Sequence, residues 1–133
     1  MDWFDEQVPP IESMNRDLFR SWFIASYVAH ARTVGSKPYA ILDTIATEPS
    51  CKPKEQQDAA EELLKEGLAR VDRKGVACYV CARESEKALY ERYGFVVQIK
   101  VNFDARDHGG LHEAANWAMM RPARRVGAGD RDE

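Results

Sequence analysis

Two lysines, a glutamate and an aspartate crowd CKPKEQQDAA, residues 51–60, just ahead of a run with apolar residues at helical spacing. A turn feeding a helix is a place to hold phosphate, because the helix's first N–H groups lack partners and its dipole favours an anion. Lys52 and Lys54 would add point charges to such a site. The turn lacks the glycines that let a backbone approach a phosphate closely. Glu55 and Asp58 equally suit an ordinary helix start, where acidic side chains complement the dipole. The stretch is therefore either a coenzyme loop without its glycines or a plain helix beginning.

The cysteines offer less. Three is a poor count for a disulfide framework and fits a reduced, cytoplasmic chain. Cys78 and Cys81 stand in ACYVCA, which reads as a strand, so they point to opposite faces and do not converge on a metal. No metal site is expected. A net charge of −3 gives no basic excess for nucleic acid, and RPARR at 121–125 is too short to alter that. No apolar run approaches the roughly 18 residues of a bilayer span, and MDWFDEQVPP lacks the character of a signal peptide, so no membrane partner is expected.

The elements that must position these groups follow from periodicity. Residues 1–12 read as an arm. A helix is predicted over 13–33, with Met14, Leu18, Phe19, Trp22, Phe23, Tyr27, Val28 and Ala31 on its apolar side, stopped by Gly35 and Pro38. YAILDTIAT (39–47) reads as a strand and Gln57–Arg73 as a helix burying Ala59, Ala60, Leu63, Leu64, Gly67, Leu68 and Val71. VACYVCA (76–82) is a near-continuous apolar strand, 85–94 a short helix, 95–103 and 115–121 two further strands, and 123–133 a polar tail. A strand–helix–strand unit at 39–82 implies parallel pairing, and the last two strands imply an antiparallel pair. An α/β or α+β sandwich of about four strands results.

In that order, YAILDTIATEP, LLKEGLARVDRKGVACYVCA, LYERYGF and NWAMMRP resemble the second half of the GNAT acyltransferase superfamily, with fungal-type members nearest. The resemblance runs from about Phe19 to Pro122, and LYERYGF is its most specific piece. It implies an acetyl-CoA-dependent N-acetyltransferase acting on a small-molecule or peptide amine, with acetyl-CoA as cosubstrate between two splayed parallel strands. The strand end Ile45, Ala46 and Thr47 would flank the pantetheine arm. The resemblance places the pyrophosphate loop at Ser50–Ala60, with Lys52, Lys54, Gln57, Ala59 and Ala60 as contacts and Arg83 at the end of the next strand. Tyr90 would protonate the departing thiolate, and Asp43 or Glu48 would serve as base. His108 and His112 would border the acceptor.

Two departures stand against activity. The family's Q/R-x-x-G-x-G/A loop falls on Glu55, Asp58 and Ala60, so an aspartate replaces the first glycine. Its charge beside a pyrophosphate would cost on the order of 1–4 kcal/mol at intermediate dielectric. Only 38 residues precede the first predicted strand, where the family carries three strands and one or two helices. The alternative is thus a catalytically inactive module that binds a partner, or a homodimer formed through a bare sheet edge.

Overall fold

The computed structural model describes residues 15–110 and 115–124, so the arm at 1–12, His112 and most of the tail lie outside the described residues. Three helices and a four-stranded mixed sheet give an α+β fold. In chain order these are α1 (Arg16–Val34), β1 (Tyr39–Leu42), α2 (Pro53–Lys74), β2 (Ala77–Arg83), α3 (Glu84–Arg92), β3 (Val96–Lys100), a 3-10 turn (Ala105–His108) and β4 (Asn116–Arg121). The sheet order is β1-β2-β4-β3, with β1 and β2 parallel and the other two pairings antiparallel.

Local signals set the boundaries. The Asn15 side chain accepts from the Leu18 N–H at 3.1 Å and starts α1, and Gly35 at φ 57° ends it. Proline at the first turn starts α2 four residues before the predicted Gln57, since its missing N–H costs nothing there. Gly75, left-handed at φ 65°, closes that helix. Gly94 at φ 93° turns α3 into β3, a conformation that a side chain resists.

Alternation on β2 divides the interior in two. Cys78, Val80 and Ala82 face α2 and α3 with Leu64, Leu68, Tyr90, Phe95 and Met119. Tyr79 and Cys81 face α1 with Ala29, Val34, Val101 and Ala118. The two cysteines therefore sit on opposite faces, as strand geometry requires.

The buried side of α1 differs from the expected stripe. Ala25 and Ala29 approach the sheet, while Phe19, Tyr27 and Val28 are exposed, Tyr27 at 64%. Small residues let the helix lie close over β2, β4 and β3, and this leaves the same face of β1, Tyr39 and Ile41, uncovered. On α2 the buried line is likewise narrower than predicted: Leu64 and Leu68 are buried, and Leu63 is 49% exposed.

One buried ion pair ties the layers together. Arg121, only 3% exposed at the end of β4, donates to both Asp72 carboxylate oxygens at 2.6 and 3.0 Å. Its Nε donates to the Tyr93 carbonyl at 3.0 Å, in the turn between α3 and β3. That hydrogen bonding holds the Asp72 carboxyl below its ordinary 3.8, against the opposing effect of burial.

Asp72→Asn, which strands a buried guanidinium, is expected to destabilise the fold by about 3 kcal/mol in urea unfolding. Arg121→Met should cost less, because Asp72 retains access to water. A carboxyl with a depressed folded-state pKa stabilises fully above its unfolded value, and the contribution is lost as pH falls through the folded one. Stability of Asp72→Asn should therefore fall less steeply than wild type on acidification below about pH 4.

Candidate functional site

The parallel ladder between β1 and β2 runs from Tyr39↔Ala77 to Leu42↔Val80 and stops. On its other side β2 continues against β4 as far as Arg83↔Asn116. The predicted strand at 39–47 thus ends five residues early: Asp43–Thr47 leave the ladder while Cys81–Arg83 do not follow. A gap opens between neighbouring parallel strands at their C-terminal ends, where open α/β sheets bind ligands.

A tight turn leads from this gap to α2. The Cys51 N–H donates to the Glu48 carbonyl at 3.2 Å, and the Glu48 carboxylate accepts from the Ser50 N–H at 3.3 Å and from its hydroxyl at 3.0 Å. Gln56 folds back to donate to the Cys51 carbonyl at 2.7 Å and the Pro49 carbonyl at 3.3 Å. Lys52, at the cap position of α2, makes no side-chain capping bond, so the first N–H groups of the helix stay available.

Most of the predicted Ser50–Ala60 loop is helix. Gln57, Ala59 and Ala60 lie inside α2, where the rungs of the helix take their N–H groups. Backbone contacts to a phosphate therefore narrow to the turn and to Lys54 and Glu55. Lys54 leans along the helix to Asp58 at 3.5 Å, and both side chains are exposed.

The remaining site residues separate into two groups. Ile45 packs half-buried against the interior on the α2 side, and Thr47 is half-buried, while Ala46 and Asp43 are exposed. Glu48 is held in its turn. Asp43 and Glu48 are therefore not joined in one acid–base pair. Arg83 and Tyr90 do come together at the end of β2. Arg83 contacts Glu86 twice at 3.4 Å, and the Arg83 N–H donates to the same carboxylate at 3.1 Å. Tyr90, 5% exposed, packs edge-on against Phe95 at 5.4 Å. Burial, followed by the Glu86 charge, raises the phenol above its ordinary 10, so it keeps its proton at neutral pH. Its hydroxyl makes no hydrogen bond among the described residues.

Some polar groupings escaped sequence reasoning. His108 Nδ1 lies 2.7 Å from Asp17 Oδ2, its ring stacks on Phe103 at 5.6 Å, and its carbonyl accepts from Asn15 at 2.8 Å. Ninety-one positions separate Asp17 from His108, and no local pattern links them. Trp117 donates to Glu84 and carries the Lys87 ammonium over its ring at 4.6 Å. Beneath α1, the Tyr79 hydroxyl, His30 Nε2 and Ser26 hydroxyl are buried without hydrogen-bond partners, and burial drives the Tyr79 phenol strongly upward. Among the described residues no cluster of three or more His, Cys, Asp or Glu could hold a metal, and no helix is long and apolar enough to cross a membrane.

No protein-family model matches this chain, and no curated protein matches it significantly.

The isolated Tyr90 hydroxyl makes a stability test simple. Tyr90→Phe is expected to change unfolding free energy by less than about 1 kcal/mol, since no hydrogen bond is lost. Tyr90→Ala should cost about 3–5 kcal/mol through the cavity it leaves beside Phe95. Thermal or urea denaturation of the two variants reads the contrast.

Proposed function

We propose that this chain is an acetyl-CoA-dependent N-acetyltransferase of GNAT type acting on an amine. The observation that carries this reading is the early end of the β1–β2 ladder at Leu42↔Val80, next to a helix head with no side-chain cap. The LYERYGF motif supports it by putting Tyr90 on α3, directly after β2. In this reading the gap beside Ile45–Thr47 and Cys81–Arg83 takes the pantetheine arm, and Lys52, Lys54 and the first N–H groups of α2 take the pyrophosphate. Acetyl-CoA would supply the activated acyl thioester. Tyr90, kept protonated by burial and by Glu86, would supply the proton for the leaving sulfur. Arg83, exposed and paired only with Glu86 in this region, would be free to exchange that carboxylate for a phosphate.

The expected result in calorimetry is saturable binding of acetyl-CoA and of desulfo-CoA. No heat and no thermal shift at millimolar ligand would remove the reading. With binding in place, Tyr90→Phe is expected to lower kcat by about 10²-fold, in the range of a lost general acid, with a smaller change in KM.

The uncovered β1 edge favours a second reading: a catalytically inactive module that self-associates. Tyr39 and Ile41 are 37% and 54% exposed on an outer strand with no charged residue, beside Tyr27 of α1. Uncharged edge strands invite pairing with another strand. A concentration-dependent dimer in sedimentation, abolished by Ile41→Lys, is the expected signature; a monomer at high concentration would end this alternative.

A further inference from the structure

Two cavities adjoin on the α1 face of the sheet, away from the helix head just described. One, of about 420 Å³, is lined by Ile24, Ala25, Val28, Ala29, Arg32 and Ile99. The other, of about 400 Å³, lies at the 3-10 turn and includes Phe103, Asp104, Asp107 and His108. Ser21, Lys100 and Asn102 border both, so the two form one groove between α1 and the outer strand β3.

The groove is apolar in the middle and oppositely charged at its ends. Asp104 is already neutralised by Arg106 at 2.6 Å, and Asp17 is turned to His108. Asp107, at one end, has no ion pair among the described residues. Arg32, at the other, has none either. Ser21 and Arg32 lie about 16 Å apart along α1, from eleven helical rises. An extended chain of about five residues covers that span.

We propose that this groove docks an extended peptide segment of about five residues, apolar in its centre, with a basic side chain at one end and an acidic one at the other. The basic end would meet Asp107 and the acidic end Arg32, with the centre lying over Ile24, Val28 and Ile99. Side chains rather than a backbone ladder carry the recognition. The extra residue at Gln98 breaks the register of β3 and interrupts its outer edge as a pairing template. The site shares no residue with the coenzyme gap and stands or falls apart from it.

The test is an amide NMR titration of the full chain with end-blocked Lys-Val-Ile-Val-Glu and, in parallel, uncharged Gln-Val-Ile-Val-Gln. The charged peptide should bind about threefold to tenfold tighter, as two solvent-exposed ion pairs allow, and should move the amides of Ile24, Val28, Ile99 and Asn102. Asp107→Asn or Arg32→Gln should each reduce the preference, and the double variant should abolish it. Both positions are surface side chains, so the variants are expected to fold. Equal binding of the two peptides, absence of saturable binding, or shifts confined to the β1 edge would overturn the proposal.

Discussion

The bidentate pair between Arg121 and Asp72 is the constraint from which the rest of the arrangement follows. Three pieces of chain meet at that guanidinium: the end of β4, the last turn of α2 and the Tyr93 carbonyl in the turn leading to β3. A charge buried this deeply is tolerated only with its partner in place. It therefore fixes where α2 ends relative to the sheet. With its C-terminal end held, α2 runs back over β2 through Leu68 and Leu64, and its N-terminal end must emerge near the open ends of β1 and β2.

That placement explains why the gap exists. β2 is held on one side by six register pairs with β4 and on the other by only four with β1. The chain after Leu42 has to leave the ladder to reach the turn at Glu48–Cys51, which Gln56 anchors from the helix side. Asp43–Thr47 therefore cannot continue as strand, although Ile45 and Thr47 have the composition of one. Tertiary connection overrides local preference here.

The fold was largely legible in the sequence and the site only in part. Glycines at 35, 75 and 94 and the apolar run of β2 marked the elements within a few residues, because backbone geometry and double-sided burial leave direct signatures. The buried side of α1 was not legible. Its large apolar residues pointed to Phe19, Tyr27 and Val28, whereas close packing on the sheet selected Ala25 and Ala29. Hydrophobic spacing reports that a face exists; it does not report which part of a wide face a neighbour reaches. Asp17–His108 and Arg121–Asp72 were invisible for another reason: both join residues far apart in sequence, and a charge at one position says nothing of its partner.

The missing glycines also take a different meaning once the helix start is located. Glycine matters where backbone must bend around an anion, and the positions aligned with the family's loop, Asp58 and Ala60, are inside α2 rather than before it. Asp58 is one turn along the helix, beside Lys54, and not in the turn that faces the gap. The cost of its charge is therefore shared with a neighbouring cation and screened by water. What opposes an anion is balance rather than shape. Lys52 and Lys54 are matched by Glu55 and Asp58, so the head of α2 offers free N–H groups and the helix dipole but little net charge. An anion site built this way depends on backbone geometry alone, and its occupancy would respond less to salt than one built on unpaired lysines.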